Sequence, residues 1–279
     1  MRLVNSVVSA TALCAVAVVV PSGLAAQSIW LEPQSDRAVY LEALKPSFEG
    51  PDLSFLTTSW YLSVRWPLGD NMLLVGELPF TYASIDDGFI DESAGAFGNI
   101  YVGIEGRGSE SAARGEFGVR LPLAPSEGDG ALAAEVGQYA DLVNRWEAYL
   151  PDVLSIHAAV DYKSRTTPGL GLRLRLAPVL WIDTGDALRD DVELWALYSA
   201  QAWYDGERVA VGAGFSGRLL ATETDLDLGE RTFHEVGMFV SLLFGRFQPG
   251  AQLRIPLDED LSDALNPSVS VSLGYRFAY

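Results

Sequence analysis

Ser268-Val269-Ser270-Val271-Ser272-Leu273-Gly274-Tyr275-Arg276-Phe277-Ala278-Tyr279 closes the sequence. Val269, Val271, Leu273, Tyr275, Phe277 and Tyr279 fall on one face of an extended strand; Ser268, Ser270, Ser272, Gly274, Arg276 and Ala278 fall on the other. A repeat of two marks a strand whose faces meet different surroundings. A strand of a soluble sandwich alternates too. This one stops on its own apolar face, with an aromatic as the last residue, which favours a strand of a membrane barrel.

The placing of Gly274, Phe277 and Tyr279 resembles the carboxy-terminal signal that the bacterial outer-membrane insertion machinery reads. The other end of the chain agrees with export. Met1–Ala26 has one cation, Arg2, a mostly apolar run from Ala10 to Val20, the breakers Pro21 and Gly23, and then Ala25 and Ala26. Such a run is short for a bilayer, which takes about 20 residues, and reads as a cleaved signal peptide. Residues 27–279 are then the mature domain. The single cysteine, Cys14, lies within the leader, so disulfides and thiol chemistry are excluded from the mature chain.

After the leader no long apolar run remains for a helical span. In lipid only helices and closed barrels satisfy the backbone. Alternation predicts twelve strands, near Arg37–Phe48, Thr57–Pro67, Asn71–Tyr82, Phe97–Gly106, Arg114–Pro122, Val153–Lys163, Gly169–Ile182, Asp191–Tyr204, Arg208–Leu219, Arg231–Phe244, Arg246–Pro256 and Pro267–Tyr279. Their lengths suit the roughly 9 to 11 residues a tilted spanning strand needs. Short connections such as Leu68-Gly69-Asp70 and Asp205-Gly206-Glu207 alternate with long ones such as Ala83–Ala96 and Leu123–Asp152. Short periplasmic turns and long outer loops are the two ends of a bacterial barrel. The expected fold is all-β: a closed, antiparallel, up-and-down transmembrane barrel with both termini in the periplasm of a Gram-negative bacterium.

Parity divides each strand between lipid and lumen. Trp60, Leu62, Val64 and Trp66 face out, as do Leu170, Leu172, Leu174 and Leu176. Charges fall on the other face: Arg65, Arg120, Lys163, Arg173, Arg175, Arg218, Arg254 and Arg276 against Glu42, Glu77, Glu105, Glu116, Asp161, Glu193 and Glu235. These nearly cancel, so the net charge of -18 resides mostly in the loops, where Asp86, Asp87, Asp91 and Glu92 cluster, as do Asp258, Glu259, Asp260 and Asp263. The loops read as a solvated rim; divalent cations shared with lipopolysaccharide are the alternative. No cluster has the spacing of a calcium loop, and the acidic balance argues against nucleic acid.

From Ala131 to Leu150 the residues Leu132, Val136, Tyr139, Val143, Trp146 and Leu150 recur at helical spacing, and Pro151 ends the run. This segment either folds into the outer mouth, narrowing a pore, or lies on the rim as a helix or as ragged strand extensions. Two histidines remain, His157 inward beside Ser155 and His234 outward near the outer interface. Neither makes a metal pair, and no oxyanion motif accompanies Ser155 and His157. The expectation is a barrel with no catalytic residues, no metal and no cofactor. The inward Tyr61, Tyr101, Trp195, Trp203, Phe233 and Phe239 are candidate contacts for aromatic solutes, or simply fill the barrel.

Two stretches carry a family resemblance: Trp60-Tyr61-Leu62-Ser63-Val64-Arg65-Trp66-Pro67-Leu68-Gly69-Asp70-Asn71, continuing to Gly76-Glu77-Leu78-Pro79-Phe80, and Ala96-Phe97-Gly98-Asn99-Ile100-Tyr101-Val102-Gly103-Ile104-Glu105-Gly106-Arg107. They resemble the outer-membrane barrel transporters associated with phenol meta-pathway degradation. Asn99 stands where that family usually has Asp, and Arg120-Leu121-Pro122 is similar to its next strand end. The resemblance implies passage of small hydrophobic or aromatic molecules. The expected function is a passive channel for small solutes, in a monomer surrounded by outer-membrane lipid and lipopolysaccharide. A non-conducting structural or surface-interaction barrel is the alternative.

Overall fold

Among the described residues thirteen strands form one antiparallel sheet that closes on itself. The computed structural model describes residues 37–47, 57–86, 91–107, 112–166, 169–185, 187–188, 190–223, 225–259, 262 and 265–277. The expected leader, Met1–Ala26, and the terminal Tyr279 lie outside them. In chain order the strands are β1 (Ala38–Lys45), β2 (Thr58–Pro67), β3 (Met72–Asp86), β4 (Asp91–Phe97), β5 (Tyr101–Arg107), β6 (Ala113–Arg120), β7 (Val153–Thr166), β8 (Leu170–Asp183), β9 (Val192–Asp205), β10 (Val209–Leu220), β11 (Thr232–Leu242), β12 (Phe247–Pro256) and β13 (Ser268–Arg276). Between β6 and β7 come α1 (Asp129–Ala140), the single turn α2 (Leu142–Arg145) and a 3-10 turn over Trp146–Ala148. Among the described residues no helix is long and apolar enough to cross a membrane.

Closure is made by β1 and β13, paired from Ala38 opposite Arg276 to Lys45 opposite Val269. Apart from β3 and β5, each other pair of neighbours in the wall is adjacent in sequence, so this is an up-and-down barrel. Twelve strands make the wall, because β4 and β5 occupy one position in turn, both paired to β3. The alternation reported from the sequence has its physical counterpart in exposure. Leu62 is 43% exposed and Val271 57%, whereas Arg218 is fully buried and Arg254 1% exposed. An apolar outer wall suits hydrocarbon, where a charge costs about 2 to 4 kcal/mol near the midplane.

One wall position departs from the expected pattern. The sequence predicts a single strand over Phe97–Gly106 after a loop over Ala83–Ala96. Instead β3 runs on to Asp86 and β4 returns beside it, from Asp86 opposite Asp91 to Phe80 opposite Phe97. Below this hairpin, Glu77 pairs with Tyr101. Leu78 and Pro79 therefore face three residues, Gly98, Asn99 and Ile100. This bulge reverses the parity of the wall. Phe97 is 60% exposed on the outside, while Tyr101, also odd-numbered, is buried inside. Gly98 is required there: a Cβ would come within 2.2 Å of the Ala148 carbonyl oxygen. The hairpin escapes a sequence reading because Ser93, Ala94, Gly95 and Ala96 are small residues with no apolar alternation to mark a lipid face.

The expected helix over Ala131–Leu150 is divided. Helix α1 packs against the β3–β4 hairpin, with Ala133, Ala134, Val136, Gly137 and Ala140 buried. Tyr139, expected on the apolar stripe, is instead 44% exposed. At Asp141 the helix breaks and Leu142–Leu150 descends into the barrel, where the buried Tyr149 packs with Leu44 and Tyr61.

Candidate functional site

The charged lumen expected from strand parity has a second set of charges seated in it, supplied by the segment Asp141–Leu150. Asp141 caps α2, its Oδ1 accepting from the Asn144 backbone N–H at 3.3 Å. Arg145, one helical turn on, donates through Nε to Asp141 Oδ2 at 2.5 Å and through Nη2 to Glu42 Oε2 on β1 at 2.7 Å. Its Nη1 lies 3.4 Å from Glu77 Oε2 on β3, and its guanidinium sits 3.5 Å from the centre of the Tyr61 ring. Arg254 on β12 holds the same carboxylates from the other side, at 2.8 Å from both Glu42 Oε1 and Asp141 Oδ2. Arg120 completes the chain through Glu77 Oε1 at 2.7 Å. Opposite walls of the barrel are thus tied together through two residues of an inserted loop.

Glu147 anchors the far side. Its Oε2 accepts from Arg218 Nη2 at 2.6 Å, and its Oε1 lies 3.6 Å from His157 Nε2. The Arg218 guanidinium is ringed by Trp146, Trp181 and Trp195 at 5.4 to 5.8 Å. Trp146, Trp181, Trp195 and Phe233 form an aromatic cluster inside the barrel. Burial alone would raise the carboxyls of the inserted segment. For Asp141, Arg254 and Arg145 outweigh it and hold the carboxyl well below its ordinary range. For Glu147, Arg218 does the same in the same direction.

Asn99 in the bulge is the hinge of this arrangement. Its Nδ2 donates to the carbonyls of Glu147 at 2.9 Å and Leu150 at 2.6 Å, and its Oδ1 accepts from the N–H groups of Leu123 and Ala124. Its backbone N–H donates to Ala148 and its carbonyl accepts from Arg120. Tyr149 adds a bond from its hydroxyl to the Phe80 carbonyl at 2.8 Å.

The remaining expected charges fall into smaller sets. Arg65 bridges to Glu105, which Arg114 approaches at 3.5 Å. Asp161 takes Arg173 and, at 3.0 Å, Arg175. Glu193 accepts from Trp195 Nε1 at 3.1 Å. Glu235 accepts from Asn144 at 2.7 Å and Ser216 at 3.3 Å. Arg276 donates to Gln248. Glu116 faces a cavity of about 60 Å³ lined also by Arg120, Asn144, Arg175, His157 and Ser199, and among the described residues its Oε2 has no hydrogen-bond partner. A smaller cavity of about 30 Å³ lies above it beside Glu235, Asp141 and Arg254.

The six candidate aromatic contacts are all engaged with neighbours. Tyr61 meets Arg145 and Tyr149, and Tyr101 lies between Arg120 and His157. Trp195 and Phe233 belong to the aromatic cluster, and Trp203 packs with Phe239 and Ala210 at the periplasmic end. At the closing strand, a Cβ on Gly274 would meet the Tyr40 ring at 2.4 Å, and Phe277 packs edge-on to Trp66. Sequence reading missed Asn99, Asp141, Arg145 and Glu147 as site residues. A signal was present: Asp141 and Arg145 stand four apart, and both lie off the apolar stripe Val136, Val143, Trp146 and Leu150.

No family model and no curated protein matches the chain. Among solved structures it is similar to an outer membrane channel from Pseudomonas putida F1, with a TM-score of 0.58 and 12% identity over 90% of this chain and 99% of that one. It is also similar to the translocator domain of the autotransporter NalP from Neisseria meningitidis, with a TM-score of 0.53 and 11% identity over 99% and 96%. The NanC porin gives a TM-score of 0.51 and 7% identity over 86% and 100%. Likenesses this distant in sequence speak for architecture alone: the chain has the closed, twelve-stranded, up-and-down barrel fold of outer-membrane proteins.

Proposed function

We propose that the protein is a passive route for small solutes across the outer membrane of a Gram-negative bacterium, held shut in the conformation described by the plug Asp141–Leu150. The single observation that carries this reading is the Arg145–Glu42–Arg254–Asp141 set, in which the wall supplies partners to a loop that enters the lumen. Barrels of eight strands are filled by their own side chains and sixteen-stranded ones leave an open channel. Twelve strands leave space that this chain fills with a separate segment. A segment held by side-chain contacts to the wall, and not by strand pairing within it, is one that can leave.

Magnitudes decide what passes. A cavity that accepts benzene measures about 150 Å³, whereas the larger cavity beside the plug is about 60 Å³. Waters fit; an aromatic ring does not until the plug moves. The similarity of Trp60–Asn71 and Ala96–Arg107 to barrels of phenol meta-pathway clusters supports hydrophobic or aromatic solutes, which would meet Tyr61, Tyr101 and the tryptophans of the aromatic cluster on that path. The barrel works as a monomer within lipid and lipopolysaccharide, placed there by the insertion machinery.

The second reading, a structural barrel without conductance, is favoured by the buried aromatic cluster around Trp146. Planar-bilayer recording and uptake of phenol into liposomes separate the two. Conductance or uptake supports the channel, and neither, even with the plug removed, overturns it.

A further inference from the structure

Tyr198, His234 and Asp258 form a hydrogen-bonded relay whose side chains lie on the outer face of the wall. The register aligns Tyr198 of β9 with Gly217 of β10 and Gly217 with His234 of β11. Gly217 makes room for the phenol ring, which a Cβ there would meet at 2.5 Å. Tyr198 Oη lies 2.7 Å from His234 Nε2, and His234 Nδ1 lies 2.8 Å from Asp258 Oδ1. The other Asp258 oxygen accepts from the His234 backbone N–H, which fixes the carboxylate at the outer end of β11. Phe215 stacks on the imidazole at 5.6 Å.

The two nitrogens of His234 have different duties. A carboxylate accepts only, so Nδ1 carries the proton and the Nε2 lone pair faces the phenol. That is the order of nucleophile, base and orienting carboxylate in which an oxygen nucleophile is activated. The pair singled out from the sequence is arranged differently: Ser155 Oγ and Glu147 Oε1 both approach the same nitrogen of His157, at 3.0 and 3.6 Å, so the carboxylate and the hydroxyl share one side of that ring.

We propose that Tyr198 is a catalytic nucleophile toward the carboxylic esters of outer-leaflet lipids. Place and chemistry both point there. The relay lies on the face that carries Phe215, Met238 and Leu257, each exposed, and near the outer ends of β11 and β12. This is the depth at which the acyl esters of a lipid meet the headgroups, and at which polar groups on a barrel wall cost least. In the reaction Tyr198 Oη bonds to the ester carbonyl carbon while its proton passes to His234 Nε2. The ester C–O bond then breaks and the departing alcohol takes that proton. The acyl group is left on Tyr198 as a phenyl ester. An aryl ester carries a better leaving group than an alkyl one, so water, giving a proton to His234 Nε2, hydrolyses it, releasing fatty acid and returning that proton to Tyr198 Oη.

The test is labelling of the intact, folded barrel in detergent with an alkyl fluorophosphonate, which traps activated oxygen nucleophiles, followed by peptide mass spectrometry. The expected result is one adduct on Tyr198, absent in Tyr198→Phe and formed at least about a hundredfold more slowly in His234→Ala, the range for loss of a general base. Asp258→Asn, close in shape, slows it as well. Heat-modifiable gel migration shows that each variant is folded, and release of fatty acid from phosphatidylethanolamine vesicles follows the same order. No adduct on Tyr198 of the folded protein, or an adduct whose rate His234→Ala leaves unchanged, overturns the proposal. Neither outcome depends on whether the lumen conducts.

Discussion

Arg145 Nη2 and Glu42 Oε2 lie 2.7 Å apart although 103 residues separate them in the chain, and the contact joins the plug to the first strand of the wall. Both groups are buried, at 3% and 0% side-chain exposure. Removing Arg145 leaves Glu42 and Asp141 to Arg254 alone, at a cost below the roughly 3 to 5 kcal/mol of a buried charge left with no partner. Arg145→Ala should therefore unseat the plug while the barrel stays closed. Hydrogen exchange over 141–150 is expected to rise strongly, with exchange in β7 to β13 unchanged.

Asn99→Asp tests the bulge. The substitution keeps the acceptor for Leu123 and Ala124 but turns the two donors toward Glu147 and Leu150 into a lone-pair oxygen facing carbonyls. Each buried acceptor left unpaired costs about 1 to 3 kcal/mol. Protease cleavage within 141–150 should become detectable in this variant while the wild type resists.

Gly98→Ala addresses the same junction by volume. The added Cβ would sit 2.2 Å from the Ala148 carbonyl oxygen and 2.8 Å from the Tyr149 ring. Backbone cannot yield there without moving the plug outward. The quenching environment of Trp146 against Arg218 and its neighbouring indoles should change, read as altered tryptophan fluorescence against the same spectrum in wild type.

Acid should release the plug. Asp141 and Glu147 titrate lower in the folded barrel than in an unfolded chain, because Arg254 and Arg145 for the first, and Arg218 for the second, outweigh burial. Their contribution is complete above the unfolded value of about 4 and is lost as pH falls through the lower folded values. Exchange protection over 141–150 should be the same at pH 7 and pH 5 and should fall below about pH 4.

The closing strand and its alternation are legible because β13 meets two uniform media, lipid against Val269, Val271 and Leu273 and lumen against Ser270 and Ser272. The same physics assigns Glu42, Glu77, Arg120 and Arg254 to the interior. It is silent where neither face meets lipid, which is why the β3–β4 hairpin reads as a loop. It is silent also on the plug's partners: Asp141, Arg145 and Glu147 pair with residues on β1, β3, β10 and β12, and no periodicity within the loop carries that long-range information. Asn99 shows the limit in one residue, since all of its bonds depend on a bulge and a loop that meet only in three dimensions.

The central claim is that residues 141–150 close a route through the lumen. Single-channel recording in planar bilayers, comparing wild type with a variant in which residues 129–150 are replaced by a short Gly-Ser linker, tests it most directly. A wild type that is mostly closed and a variant with steady, larger conductance is the predicted result. Equal conductance in the two, or none in the folded variant, would contradict it.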